Sequence, residues 1–450
     1  MQRQSGWKLK TKEDIKEIYA FAEGYKDFLD RAKTEREAVR CITGSLGENG
    51  FTTDLTKDRA FAVNRGKEVM AYIRGSGDIA EGLNIVVAHL DAPRLDLKQN
   101  PLYEDVDLAL LRTHYYGGIK KYQWVACPLA IHGVVVKADG ATVDICIGEK
   151  DDDPVFLIDD LLPHLSRKTQ DEKKLADAID GEKLVLLFGS LPLTGTEREP
   201  VKQYVLKMLK DFHDISEDDF ITAELEVVPA FKARDVGIDR SMIGAYGQDD
   251  RVSAYTLLKA FCGIRDPKRH CLAIFTDKEE IGSEGATGIR SAFLKVFLDD
   301  IMAGMGIKAD EALVRKVLFR SKALSADVNG AVDPTFQEAH EKQNACYLGR
   351  GPCVTKYTGH MGKIGASDAS AEYTGEIARL FNKEGVIWQT GELGKIDEGG
   401  GGTVAKHLAV YGMDIIDCGA PILTMHSPYE LSNKLDIFET YRAFQVFFAA

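Results

Sequence analysis

The 450-residue sequence lacks several features that would assign it to common classes of protein. No apolar run approaches the roughly 20 residues that a membrane-spanning helix needs. The polar start, MQRQSGWKLKTKED, has no apolar h-region, so no secretory signal peptide is predicted. The eight cysteines include no Cys-x-x-Cys pair, and Cys262 and Cys271 lie in apolar surroundings that are typical of reduced core residues. We therefore expect a soluble, globular, cytoplasmic protein.

An excess of basic residues and the common nucleotide and hydrolase motifs are also missing. The formal net charge of −13 argues against a nucleic-acid partner, which would favour a basic face. The chain has no G-x-x-x-x-G-K-[ST], G-x-G-x-x-G, H-E-x-x-H or G-x-S-x-G motif. A glycine run at 399–402 precedes a predicted helix and could cradle an anion, but without a further phosphate motif a flexible turn is favoured.

The distribution of apolar residues predicts an α/β protein with an insertion. Buried strands alternate with helices over 1–93 and 241–450, which indicates a mainly parallel sheet with helices on both faces. Between them, residues 94–240 hold short β-like runs, glycines and charged loops. The sequence therefore predicts one discontinuous catalytic domain, 1–93 plus 241–450, interrupted by a β-rich domain at 94–240.

Two of the predicted strands end in polar groups. An apolar run at 85–88 leads into His89 and Asp91, and Cys271–Phe275 leads into the adjacent carboxylates of Glu279 and Glu280. Ligands of open α/β folds lie outside the carboxyl ends of such strands. Adjacent carboxylates at the end of a buried strand are costly unless a metal or a proton offsets their charge. One glutamate could therefore bind a metal while its neighbour transfers a proton.

Five acidic or imidazole side chains fall at or just past predicted strand ends: His89, Asp249, Glu280, Asp327 and His426. Such a mixed set of nitrogen and oxygen donors suits Zn²⁺, with Co²⁺ or Mn²⁺ as alternatives. Five ligands exceed the four of a tetrahedral site. The set therefore indicates two divalent ions per chain that share one carboxylate and lie about 3.5–4 Å apart.

The motifs that carry these residues resemble those of a known family. The segments VVAHLDAPRL, GQDDRVSAY, TDKEEIGSEGATG, SADVNGAVDP and ILTMHSPYE occur in this order. They are similar to the five metal-site motifs of the M18 metalloaminopeptidases, the aspartyl aminopeptidase and aminopeptidase I group, and the similarity spans nearly the whole chain. The Asp-Asp-Arg-Val wording also resembles the related M42 aminopeptidases, but the chain length and HLDAPRL favour M18.

The resemblance implies roles for individual residues. One metal site would take His89 and Asp327, the other would take Glu280 and His426, and Asp249 would bridge both. The remaining roles implied are Glu279 as the general base toward the attacking water and Asp91 as the carboxylate that orients the imidazole of His89. The implied reaction is the release of N-terminal amino acids from peptides, with a free substrate α-amine held at the site.

Two further positions match the family over shorter stretches. His164 stands where the family has a histidine that reaches a neighbouring subunit's active site, with an ordinary surface histidine as the alternative. Lys356 matches a basic substrate-contact position, with a solvated strand-end lysine as the alternative. The chain also departs from the aspartyl aminopeptidases, with Gly330 in place of a histidine and Asp250 in place of the usual asparagine. The first change puts a preference for N-terminal Asp or Glu in doubt.

The resemblance also implies an assembly. M18 enzymes form closed homo-oligomers, so we expect at least a dimer built through the inserted domain, which would act as a dimerisation or lid domain, and a dodecamer of such dimers. A metal-dependent amidohydrolase or carboxypeptidase of the M20 type is the competing enzyme, and a non-enzymatic binding protein is the remaining alternative. Loss of a ligand or of Glu279 would be expected in the latter, and all are present.

Overall fold

The computed structural model describes residues 4–450, which divide into two compact units. The first unit comprises the described residues up to Ala92, together with Ala233–Met425 and Glu430–Ala450, and the second comprises Pro93–Lys232 and His426–Tyr429. The predicted insertion, 94–240, shares residues 94–232 with the second unit. Among residues 4–450, no helix is both long and apolar enough to cross a bilayer. The cytoplasmic location stays a prediction.

Eleven α-helices occur within the described part of the chain. Their bounds are α1 Lys12–Arg31, α2 Glu35–Glu48, α3 Pro163–Ser166, α4 Leu175–Ala178, α5 Pro200–His213, α6 Gln248–Gly263, α7 Phe293–Gly304, α8 Glu311–Phe319, α9 Ala371–Lys383, α10 Ala405–Ala409 and α11 Lys434–Ala449.

The strands begin with the hairpin β1 and β2 and end just before α11. Their bounds are β1 Arg59–Asn64, β2 Glu68–Ile73, β3 Leu83–His89, β4 Arg94–Asp105, β5 Leu108–Tyr116, β6 Leu129–Val136, β7 Thr142–Ile147, β8 Val185–Gly189, β9 Glu224–Pro229, β10 Arg234–Val236, β11 Met242–Ala245, β12 His270–Thr276, β13 Lys322–Ser325, β14 Asn329–Gly330, β15 Cys353–Thr355, β16 Gly359–His360, β17 Gln389–Thr390, β18 Gly400–Gly401, β19 Asp414–Gly419, β20 Pro421–Leu423 and β21 Glu430–Asn433.

The main sheet of the first unit has eight strands in the order β1-β2-β12-β3-β13-β19-β15-β17. Its four central strands, β12, β3, β13 and β19, run parallel to one another. The pairs β1–β2, β2–β12 and β15–β19 are antiparallel. The fold is therefore mixed α/β with several sheets, and the sheet is less uniformly parallel than the sequence predicts, because a local hairpin extends one edge.

Both faces of this sheet are buried, each in its own hydrophobic core. Successive side chains of a strand point to opposite faces. In β12, Ala273 and Phe275 pack into a core shared with α1, α2, α6, α9 and α11, whereas Leu272 and Ile274 pack into a core shared with α7 and α8. This double burial explains why the central strands are continuous apolar runs in the sequence.

The first helix, α1, begins with a capping box. The side chain of Thr11 accepts a hydrogen bond from the backbone N–H of Asp14, and the Asp14 carboxylate accepts one from the N–H of Thr11. This reciprocal pair satisfies two backbone donors that a helix start otherwise leaves without partners. The capping box therefore fixes the point at which α1 begins.

A second sheet of the first unit lies beside the segment that precedes α6. Its strand order is β10-β11-β21-β20-β14. β11 and β21 are antiparallel, with Ala245 opposite Glu430. Ala245, the last residue of β11, lies two positions before Gly247. This pairing therefore brings Glu430, at the start of β21, to the segment that leads into α6.

The second unit is built on a six-stranded sheet in the order β7-β6-β9-β4-β5-β8. Each of its pairings is antiparallel. Helix α5 adds its buried residues Val201, Val205 and Leu209 to this unit. Residues 94–232 are accordingly β-rich.

Candidate metal centre

Three neighbouring parallel strands end at the candidate site. His89 is the last residue of β3 and lies opposite Thr276, the last residue of β12. β13 pairs with the other edge of β3 and ends at Ser325, two residues before Asp327. Because parallel strands end at the same edge of a sheet, the imidazole, the Glu279–Glu280 pair and Asp327 are brought to one place.

Asp249 reaches the site from a non-helical turn at the start of α6. Gly247 has a φ of 70°, and a Cβ there would lie 1.7 Å from Nη1 of Arg251. The turn therefore requires glycine. Asp249 itself is non-helical, with φ −80° and ψ 105°, and its peptide bond to Asp250 is cis. Arg251 is buried, and its Nη2 donates to the carbonyl oxygen of Lys33 at 2.9 Å.

The site contains three overlapping clusters of candidate ligand atoms. Within each cluster, the atoms lie within 4.8 Å of one another. Nε2 of His89 lies 3.3 Å from Oδ1 of Asp249 and 3.8 Å from Oδ1 of Asp327. The clusters are His89 with Asp249 and Glu280, His89 with Glu279 and Asp327, and Asp249 with Asp250 and Asp327. Imidazole and carboxylate donors at this density suit a divalent cation such as Zn²⁺, so the residues fit the metal that the sequence predicts.

Asp91 is fully buried beside these clusters. Its Oδ1 accepts a hydrogen bond from the backbone N–H of Glu279, and its Oδ2 accepts one from that of Glu280, both at 3.1 Å. Nδ1 of His89 lies 3.0 Å from the carbonyl oxygen of Asp91 and 3.4 Å from its Oδ1. One carboxylate therefore contacts both the imidazole and the glutamate pair. The contact with the glutamates was not predicted from the sequence.

The protonation preferences of the site reflect its concentration of negative charge. Burial opposes the charged form of His89, but the carboxylates of Asp249, Asp327 and Asp91 raise its pKa well above the ordinary value. Burial, reinforced by Asp327, raises the pKa of Glu279 to about 8. Both shifts favour the protonated form of the group. Added protons reduce the repulsion among the carboxylates where no cation offsets their negative charge.

Besides Asp91, three predicted residues lie outside these clusters. His426 belongs to the second unit, where its Nδ1 lies 2.9 Å from the carbonyl oxygen of Gly118. His164 is exposed on α3, and Lys356 is exposed just after β15. Their predicted roles stay predictions.

Two residues that sequence reasoning did not assign to the site contact it. The Oδ2 atom of Asp250 accepts from the backbone N–H of His89 at 3.1 Å, and Oε2 of Glu430 accepts from that of Asp249 at 3.0 Å. Asp250 is adjacent to a predicted ligand, which is a usable signal. Glu430 lies 181 positions from Asp249, and only the pairing of β21 with β11 brings the two together.

The sequence model of one family, described as Aminopeptidase I zinc metalloprotease (M18), matches residues 28–448. The chain belongs to the M18 family. It is accordingly a metalloaminopeptidase, a hydrolase that acts on peptide bonds.

Relatives and solved structures agree with this assignment over the full length of the chain. A probable M18 family aminopeptidase 1 of Clostridium acetobutylicum is 49% identical over 98% of this chain and 97% of its own. A protein of the same description from Thermotoga maritima is 48% identical over 99% of this chain and 98% of its own. The crystal structure of an M18 aminopeptidase from Thermotoga maritima superposes with a TM-score of 0.95, covering 100% of this chain and 99% of that one at 47% identity.

Proposed function

We propose that the chain is a two-ion aminopeptidase that removes N-terminal residues from peptides. The observation that carries the proposal is the convergence of one imidazole and several carboxylates at the ends of β3, β12 and β13. Asp249 shares one cluster with Glu280 and another with Asp327, and its two carboxylate oxygens could each serve one ion, which supports its predicted bridging role. His89 and Asp327 would complete one ion site, and Glu280 with the predicted ligand His426 would complete the other.

Glu279 is the proposed general base. Bound zinc ions would acidify a water molecule and polarise the scissile carbonyl. Glu279 then accepts the proton of the attacking water and delivers it to the amine nitrogen of the departing peptide. Its carboxylate clusters with His89 and Asp327, which supports this role because a general base must lie within reach of the attacking water.

Asp91 positions the groups that react. Its two carboxylate oxygens hold the backbone N–H groups of Glu279 and Glu280, so the base and the predicted ligand share one anchor. Its contact with Nδ1 of His89 supports the predicted orientation of the imidazole, with Nε2 directed toward Asp249 and Asp327.

The surroundings of Gly330 bear on the substrate. A Cβ at this position would lie 2.7 Å from Cδ1 of Leu393, so a histidine would have to displace that leucine. An apolar side chain thus occupies the space beside the position where aspartyl aminopeptidases have an imidazole. We propose that acidic N-terminal residues are not preferred, with Lys356 as a candidate substrate contact.

Metal analysis combined with a peptide panel tests the function. Purified protein should contain two divalent ions per chain, and chelation should abolish its activity. Free-amine peptides and aminoacyl anilides should be cleaved, whereas N-blocked versions of the same peptides should not. Cleavage of N-blocked peptides would favour the M20-type amidohydrolase instead. Fastest cleavage of N-terminal Asp or Glu would refute the proposed substrate preference alone.

The protein is also proposed to be a homo-oligomer. The S. cerevisiae mApe1 dodecamer has the same fold, with a TM-score of 0.73 at 19% identity. The second unit exposes an apolar cluster around His164, formed by Leu161, Leu162 and Leu165. Exposed leucines in this number favour contact with another chain. A dodecamer of dimers is the proposed assembly, with His164 of one subunit near Glu279 of another.

A further inference from the structure

A buried glutamate without an assigned role contacts the backbone of Asp249, the predicted bridging ligand. Glu430 is 1% exposed, and its Oε2 accepts a hydrogen bond from the backbone N–H of Asp249 at 3.0 Å. Glu430 belongs to none of the candidate ligand clusters among residues 4–450. Its carboxylate thus contacts the main chain of a predicted ligand and is not grouped with the ligands themselves.

The same glutamate is itself fixed from the opposite side. Its carbonyl oxygen accepts from Nε2 of Gln248 at 2.7 Å, and that nitrogen also donates to the carbonyl oxygen of Ile243 at 3.0 Å. Oε1 of Gln248 accepts from the hydroxyl of Tyr25 at 3.2 Å and from the hydroxyl of Ser432. The side chain of Gln248 therefore ties β11 to β21 immediately before Asp249.

The negative charge of Glu430 affects the pKa of Tyr25 in this network. Burial, the carboxylate of Glu430 and that of Asp250 together raise the pKa of Tyr25 well above its ordinary value, so its hydroxyl remains a donor. A hydrogen bond from an N–H group to a carboxylate is shorter and stronger than one to a neutral acceptor. A segment that lacks helical hydrogen bonds, as Asp249 does, depends on such an acceptor for its orientation.

We propose that Glu430 is a positioning residue that holds the backbone of Asp249 so that its carboxylate can serve both metal ions. This inference rests on the proposed two-ion function and extends it to a residue outside the clusters of candidate ligands. Removal of the acceptor should free the Asp249 backbone and weaken metal binding. The side chain of Asp249 would remain, so saturating metal should restore most of the activity.

Two substitutions separate hydrogen bonding from charge. Glu430→Gln keeps a neutral acceptor oxygen, and Glu430→Met keeps the length of the side chain without an acceptor. Asn433→Ala is the matched control, because Asn433 is buried on the same strand and its Oδ1 accepts from the backbone N–H of Leu435, at the start of α11. This control removes a buried hydrogen bond of β21 that does not involve Asp249.

Cobalt titration of the metal-stripped full chain, followed by visible absorption, gives a readout independent of activity. The apparent dissociation constant for Co²⁺ should rise about 10–100-fold in Glu430→Met, as is typical when a partner of a metal ligand is lost. Glu430→Gln should be intermediate, and Asn433→Ala should match the wild type even if its melting temperature falls. The rate at which zinc is lost to a chelator should follow the same order.

The outcomes are distinguishable. An unchanged cobalt affinity in Glu430→Met would overturn the inference and leave the two-ion function intact. Equal losses in the Gln and Met variants would also overturn it, because charge alone would then account for the effect. If Glu430→Met does not fold, a chelator rate in Glu430→Gln equal to that of the wild type decides against it. Failure of the wild type to bind cobalt would instead refute the proposed function.

Discussion

At the scale of single residues, the candidate site places two adjacent glutamates in different clusters. Glu280 clusters with His89 and Asp249, whereas Glu279 clusters with His89 and Asp327. The backbone N–H groups of both glutamates are fixed by Asp91. Because the backbone positions are shared, a change to the side chain of Glu279 should leave its neighbour in place.

Glu279→Gln should therefore separate catalysis from metal binding. We expect kcat to fall by about 10²–10⁴-fold, the usual contribution of a general base, because glutamine cannot accept the proton of the attacking water. The zinc content of the variant should equal that of the wild type when measured by elemental analysis. Joint loss of metal and activity would show that Glu279 is a ligand.

A second residue-scale prediction concerns Glu68, a buried carboxyl group away from the clusters. Burial and, after it, Asp277 raise its pKa to about 8, while hydrogen bonds from Asn64 and Thr276 lower it. The unfolded chain loses this proton near the ordinary value of 4.5. Between pH 4.5 and 8 the folded state therefore binds more protons, so the contribution of Glu68 to stability is fully present below pH 4.5 and is lost as the pH rises toward 8.

The stability of the Glu68→Gln variant relative to the wild type should consequently increase with pH. The difference in melting temperature between variant and wild type should be more positive at pH 8 than at pH 5, since each pH unit in this window changes stability by about 1.4 kcal/mol at most. Scanning calorimetry at both pH values checks this. Glu172→Gln, at an exposed position, is the control and should show no such difference. A pH-independent effect of Glu68→Gln would show that the group ionises normally.

At the scale of elements, β3, β12 and β13 could be predicted from the sequence because double burial requires continuous apolar runs. The candidate ligands at their ends could be selected for the same reason, since a polar side chain stands out where such a run stops. The antiparallel pairing of β15 with β19 and the contact of Glu430 with Asp249 could not. Both depend on which distant strands become neighbours, and hydrophobic periodicity does not indicate the order of strands in a sheet.

The close approach of β19 to Asp327 gives an element-scale prediction. A Cβ on Gly419 would lie 1.9 Å from the carbonyl oxygen of Asp327 and 2.5 Å from that of Ala326. Gly419→Ala should push this backbone away and move a predicted ligand. We expect the apparent dissociation constant for zinc to rise about tenfold or more, measured by competition with a chelator.

A glycine without such a neighbour provides the control for this substitution. Gly44 lies inside α2 with an exposed surface, and a Cβ there would meet no atom within 4 Å. Gly44→Ala should leave zinc affinity unchanged and stabilise the chain by roughly 0.5–1 kcal/mol, because alanine loses less conformational freedom in a helix. Unchanged zinc affinity in Gly419→Ala would mean that β19 can shift without moving Asp327.

At the scale of the whole molecule, the proposed assembly can be tested by mass and by complementation. Light scattering at micromolar concentration should give a multiple of the 49.6 kDa chain mass. If His164 acts across an interface, His164→Ala and Glu279→Gln subunits that are dissociated, mixed and reassembled should regain activity above either parent. His213→Ala, at a half-buried histidine of the second unit, should keep its own activity and gain nothing from mixing with Glu279→Gln.

Two results would count against this arrangement. A fully active protein with the mass of one chain would exclude a functional oligomer. Mixed subunits with no gain over the parents would mean that His164 acts within its own chain or has no catalytic part.

The double burial of the central strands has a consequence for the thermal inactivation of the enzyme. Amide protons of β3, β12 and β13 are shielded on both faces, so they should exchange with solvent only when the first unit opens as a whole. The predicted ligands His89 and Asp327 are attached to the ends of these slow-exchanging segments. On warming, the rate of irreversible zinc loss should therefore match the rate of deuterium uptake by these strands and should not exceed it.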